Sequence, residues 1–186
     1  MGIFNKKVNK KQTDFLKEYK ISEKITKEST ISYITKGKIS ITTGIYNNGL
    51  ISILDTDITA NIIKNWGWKF QKNFIPIIST AFGDLFMYNT ISGECYFYQI
   101  QYDTFDLITD SLDELLNNAL IDNGIITHVL FKDKFSDVFI TIGHLKYGET
   151  YILKPWLMLG GKDVVENYSI GSLTTYLELV SKSLEN

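Results

Sequence analysis

Apolar and polar positions along this chain change period several times, and the changes outline its elements. Residues 85–88 and 95–101 are short apolar and aromatic runs on either side of Asn89-Thr90-Ile91-Ser92-Gly93, a pattern that predicts a hairpin. Residues 39–43 and 50–54 are β-rich, and Asn47-Asn48-Gly49 between them is a strong turn signal, so a second hairpin is expected there. Residues 74–79 form another apolar run, and Pro76 within it predicts an edge strand or a strand start. Residues 105–108 and 150–153 predict two more strands, the second stopped by Pro155.

Helical spacing appears over residues 14–19 and 58–66, the latter with Asp55 or Asp57 as its cap. Ser111-Leu112-Asp113-Glu114 has the form of a capping box and predicts a helix to about Leu120. Further helices are expected over 131–140 and over 173–184, the last with Leu173, Tyr176, Leu177 and Val180 inward. Residues 21–38 are too polar to assign. Strands and helices do not alternate as long βαβ units, which predicts an α+β fold. The expected architecture is a mixed, mainly antiparallel sheet flanked by helices, with a small N-terminal α+β lobe and a weak boundary near residues 70–78.

Composition is that of a globular chain: 44% hydrophobic and 22% charged over 186 residues. The net charge of −2 hides an asymmetry. Residues 1–40 hold ten lysines against four acids, whereas the remainder holds nine against seventeen. Residues 1–11 read as a basic tail. Glu18, Glu23 and Glu28 interleave with the following lysines, which argues against nucleic-acid binding. The acidic body favours a basic partner. Arginine is absent, and with it the usual bidentate clamp for phosphate. No apolar stretch is long enough to span a membrane, and the N-terminus lacks the apolar core of a signal peptide. Cytoplasmic residence is the expectation.

Candidate chemistry is sparse. Cys95 stands alone in a strand-like context and reads as a buried thiol. His128 and His144 form no metal-ligand spacing, so neither a metal nor a cofactor is expected. Gly160-Gly161-Lys162 lacks the rest of a phosphate loop and reads as a turn. Asp84 and Glu149 both lie beside glycines in turns. They could act as an acid and base pair, or each could cap backbone amides; the second reading is favoured. Asp103, Asp106, Asp110, Asp113 and Glu114 form an acidic segment suited to a basic partner, although acids at a helix start also suit its dipole. Trp156 could anchor a partner or pack in the core.

Two separated segments carry a resemblance. One is Thr80-Ala81-Phe82-Gly83-Asp84-Leu85-Phe86; the other is Gly143-His144-Leu145-Lys146-Tyr147-Gly148-Glu149-Thr150-Tyr151, continued by Lys154-Pro155-Trp156-Leu157-Met158-Leu159-Gly160-Gly161. In order and spacing this resembles the C-terminal domain of bacterial immunity proteins of the type VI secretion DNase-immunity kind, over about residues 75–184, which sets the expected domain at 75–186. Residues 12–74, with Gly44–Asp55 and Ile63-Lys64-Asn65-Trp66, resemble the GAD-like domain that often precedes it, although 12–40 depart from its pattern. The resemblance implies a non-catalytic protein that binds and neutralises a cognate toxin, with a nuclease as one candidate toxin. It also implies that Gly83, Asp84, Gly148, Glu149, Pro155, Gly160 and Gly161 are structural turn residues. A non-catalytic scaffold or regulator that binds a cellular protein is the alternative.

Overall fold

A computed structural model describes residues 13–185. The expected basic tail lies outside the described residues. Seven strands form one antiparallel meander in chain order: β1 Ile21–Lys24, β2 Gly44–Tyr46, β3 Ile51–Ile53, β4 Phe74–Thr80, β5 Leu85–Asn89, β6 Cys95–Gln99 and β7 Thr104–Thr109. A separate hairpin pairs β8 Glu149–Leu153 with β9 Tyr168–Ser172. The helices are α1 Thr13–Glu18, α2 Thr30–Ile34, α3 Thr56–Trp66, α4 Leu112–Asn117, α5 Lys132–Ile142 and α6 Leu173–Glu185. The fold is therefore α+β, an antiparallel sheet flanked by helices.

Alternation along the central strands explains their apolar character. Leu85, Met87 and Tyr98 point to one core, shared with Ile62 and Trp66 of α3 and Tyr176, Leu177 and Val180 of α6. Phe86, Cys95 and Phe97 point to the other, shared with α1, α4, α5 and the β8–β9 hairpin. Both faces are thus covered at β5 and β6. Ser181 Oγ ties α6 to α3 by donating to the Asn65 carbonyl at 2.7 Å and accepting the Trp68 indole N–H at 2.7 Å.

The β2–β3 and β5–β6 hairpins lie where the turn residues place them. Asn47 and Asn48 take positive φ, and Asn89 Oδ1 accepts the Ile91 and Ser92 amides. The Asp55 side chain caps α3 through the Asp57 and Ile58 amides, both at 2.8 Å.

Three expectations need correction. The strand before the Asn47 turn is Gly44–Tyr46, not 39–43. Residues 39 and 41 give their amides to the hydroxyls of Thr35 and Ser32, so this stretch is tied to α2 instead of a ladder. Pro76 lies in the central strand β4, not at an edge; the register shifts between Pro76 and Ile78, and that bulge accommodates a residue with no N–H. The helix expected to reach Leu120 stops at Asn117, with a 3₁₀ turn over Ala119–Ile121. Ser111 Oγ accepts the Glu114 amide as expected, but the Glu114 carboxylate turns forward to Asn118 Nδ2.

Residues 21–38, left unassigned, hold β1 and α2. Every β1 residue is exposed, so no apolar alternation could mark it. β3 pairs with β4, so the sheet runs across the weak boundary read near 70–78. Tyr19 OH also reaches over to donate to the Leu120 carbonyl at 2.7 Å.

Candidate functional site

The residues of the two quoted segments converge between β4, β5, β8 and α6. Thr80 Oγ1 accepts the Phe82 and Asp84 amides, which closes the turn before β5. Gly83 sits at φ +86°, where a Cβ would lie 2.9 Å from Tyr176 Cε1, so only glycine lets α6 approach this closely. The Ala81 carbonyl accepts both the Thr150 hydroxyl and the Tyr151 amide at 2.8 Å, which joins the turn to β8. Gln101 accepts the Leu157 amide at 3.1 Å and donates to Tyr176 OH.

Asp84 is buried and accepts the Ile100 amide at 2.8 Å. Burial pushes its carboxyl up to about 7; the Ile100 N–H and the Lys134 ammonium oppose that shift. Lys134 pairs with Asp163 at 3.0 Å and lies 4.4 and 4.7 Å from the ring centres of Phe131 and Phe82. The cavity that Asp84, Gln101, Lys134 and Asp163 line measures about 70 Å³. That is room for water and far below the ~300 Å³ at which small-molecule pockets begin.

Glu149 does not line this cavity; its carboxylate accepts the Lys146 amide at 2.7 Å. The two acids therefore act locally on separate backbone amides. Gly148 precedes Glu149 in the turn into β8, and its carbonyl accepts the Leu173 amide. Pro155 follows a cis bond from Lys154. Gly160 and Gly161 close the 3₁₀ turn over Leu157–Leu159, and a Cβ on Gly161 would fall 1.8 Å from the Pro155 carbonyl oxygen.

Trp156 is half-buried, its ring edge-on to Tyr176 at 5.8 Å. The exposed apolar side chains of that loop are Met158, Leu159 and Val164. Cys95 is fully buried, and burial pushes its thiol up to about 12. Among the described residues no group of His, Cys, Asp and Glu could hold a metal ion.

The acidic segment divides in two. Asp103 is engaged by Lys69 and by Tyr98 OH. Partial burial acts to raise its carboxyl, but those two hydrogen bonds and the Lys69 charge hold it below the usual range. Asp113 is half-buried and accepts Asn117 Nδ2. Asp106, Asp110 and Glu114 are exposed, on β7, in the link after it and at the start of α4. Sequence reasoning missed Leu107 and Asp122, which line an open groove of about 750 Å³ together with Asp110 and Glu114. Leu107 is 51% exposed on an edge strand, a position that no local pattern marks.

Comparison with known proteins addresses the C-terminal part directly. Residues 111–182 match the family described as T6SS immunity protein Tdi1, C-terminal. That match supports a type VI secretion immunity family. It begins at the α4 cap and ends in α6, so it takes in the second quoted segment and leaves the Thr80–Phe86 segment outside. The fold is similar to that of the crystal structure of Atu4351 from Agrobacterium tumefaciens, with a TM-score of 0.63 over 92% of this chain and 88% of that one. Identity is 14%, so the likeness speaks for fold alone. No curated protein sequence matches the chain. Among the described residues, no helix is long and apolar enough to cross a membrane.

Proposed function

We propose that this protein is a cytoplasmic, non-catalytic immunity protein that neutralises a cognate bacterial toxin by direct stoichiometric binding. The observation that carries this reading is the match of residues 111–182 to a type VI secretion immunity family. The quoted segments form a junction of turns, hydrogen bonds and close contacts, which suits a scaffold that holds a contact surface elsewhere. Residues 12–74 are the GAD-like part of the proposal. The excess of acids in residues 41–186 favours a basic toxin, and a basic surface is what a nuclease toxin uses to attract its anionic substrate. The proposed contact surface comprises Asp106, Asp110, Asp113 and Glu114; Asp103, bonded to Lys69 and Tyr98, and Trp156, packed on Tyr176, are engaged inside the fold.

The test is co-expression with the product of the neighbouring gene, scored for survival and co-purification. Rescue together with a complex of fixed stoichiometry is expected. A toxic neighbour that this chain neither rescues nor binds would refute the reading.

A further inference from the structure

The sheet has two outer strands, and they differ. β1 has four residues, carries Glu23 and Lys24, and shifts register between Ile21 and Glu23. Its Glu23 carboxylate is also engaged, accepting the Tyr147 amide at 3.1 Å. Short, charged, irregular edges resist further pairing. β7 is six residues long, pairs with β6 on one side and, among the described residues, with no strand on the other; it bulges at Leu107–Ile108, where its register against β6 shifts between Tyr96 and Cys95, and carries no engaged acid on its outward positions.

The free backbone groups of β7 follow from the alternation of an antiparallel ladder. The Asn89 amide donates to the Glu94 carbonyl, so these two form a bonded pair. Bonded and non-bonded pairs alternate, which makes Met87–Tyr96 and Leu85–Tyr98 bonded pairs as well. Tyr96 and Tyr98 thus direct their backbone groups to β5. The Ile100 amide continues that series and donates to Asp84 on the same side. Phe97 and Gln99 face β7 instead, where they meet Asp106 and Thr104. Phe105 and Leu107 therefore turn their amides and carbonyls away from the sheet. Neither amide donates to any other element among the described residues.

The open groove begins at the C-terminal end of this edge, at Leu107, and is lined from there by Ile108, Asp110, Glu114, Asp122 and Ile125 among others. No lysine or histidine lines it. Unpaired backbone groups and an uncompensated negative rim together specify an extended, cationic guest.

We propose that the β7 edge is the docking site for the toxin, which adds a lysine- or arginine-bearing segment to the sheet as an eighth strand. This rests on the immunity reading. The guest's backbone bonds to Phe105 and Leu107 would supply affinity. Its cationic side chains, set against Asp110, Glu114 and Asp122, would supply selectivity and speed encounter.

Amide hydrogen exchange tests this on the intact chain, alone and in complex with the co-purified product of the neighbouring gene. In the free chain the Phe105 and Leu107 amides exchange fast while the Asp106 amide is protected. In the complex both are slowed by about 10-fold or more, because exchange then requires the added strand to open. Leu107→Pro removes an outward N–H and no bond to β6, so the chain stays folded and its affinity for the toxin falls about 10-fold. Should that variant not fold, the exchange measurement on the unmodified chain decides. A complex in which the two amides exchange as fast as in the free chain overturns strand addition and leaves immunity standing. Absence of both rescue and complex removes the immunity reading, and this inference falls with it.

Discussion

Asp84→Asn isolates what a buried carboxyl does to this fold. Asp84 is 6% exposed, and burial lifts its carboxyl from 3.8 to about 7. The folded chain therefore keeps a proton that the unfolded chain releases between those two pH values. Stability from this group is complete below about pH 4 and is lost as the pH rises towards 7, beyond which the loss is constant. The slope is about 1.4 kcal/mol per pH unit, and over the roughly three-unit window the loss is on the order of 4 kcal/mol. Asparagine keeps an acceptor for the Ile100 amide and does not titrate. The stability of the variant relative to the parent should therefore climb by a few kcal/mol between pH 4 and 7.5, while all other titrating groups cancel in the difference. Urea unfolding of both proteins by circular dichroism, at half-unit pH steps, measures it. Two curves that stay parallel across that range would refute the argument, since a carboxyl with its ordinary pKa gives a constant offset. Asp84→Ala separates the remaining contribution: it leaves the Ile100 amide without its acceptor and adds a pH-independent cost of about 1–3 kcal/mol.

The other expected outcomes come from the same geometry. Gly83→Ala forces a side chain onto φ +86° and against Tyr176, and should destabilise by about 1–3 kcal/mol, read as a lower Tm. Asp55→Ala removes the cap from α3 and an acceptor of Tyr147 OH at 3.2 Å; chemical denaturation should show a loss of about 1–2 kcal/mol. Cys95 should not react with a thiol reagent at pH 8 until the chain unfolds, because the thiol is fully buried and held protonated. Replacing Asp106, Asp110 and Glu114 together by lysine should leave Tm near that of the parent and slow toxin association at low salt by about 10-fold or more, with the gap closing at high salt. Unchanged association kinetics in that variant would remove Asp106, Asp110 and Glu114 from the binding site.

Local chemistry was legible in the sequence; long-range placement was not. The Asn47–Gly49 and Asn89–Gly93 turns, the Asp55 cap and the inward face of α6 each depend on residues within a few positions of one another, so spacing alone exposed them. Pro76 misled because a bulge, set by pairing with β5, admits a proline in the middle of a sheet. β1 was hidden because its partner β2 lies some twenty residues away and none of its own side chains is buried. The acidic segment was visible as charge, but its division was not. Nothing near Asp103 in sequence announces Lys69, which reaches it from the turn that follows α3 and removes it from the group of free acids.

That division bears on how such a protein can bind selectively. The quoted turns are held by contacts they cannot give up: Gly83 beneath Tyr176, Ala81 bonded twice to β8, Gly161 against the Pro155 carbonyl. A substitution there is felt by the core before it is felt by a partner. The exposed side chains at the outer edge of β7 and at Asp110 are under no such constraint. Asp106, Asp110 and Leu107 could each change without breaking a hydrogen bond that the fold uses. The backbone of β7 meanwhile keeps offering the same two outward amides whatever side chains it carries. A rigid edge with replaceable side chains separates affinity from specificity. Backbone pairing supplies the first and is indifferent to sequence, whereas the rim charges supply the second and can be retuned one at a time. On this account, exchanging the rim residues between this chain and a toxin-neutralising protein of the same fold should exchange the toxins they recognise, whereas exchanging the Thr80–Phe86 turn should change stability alone.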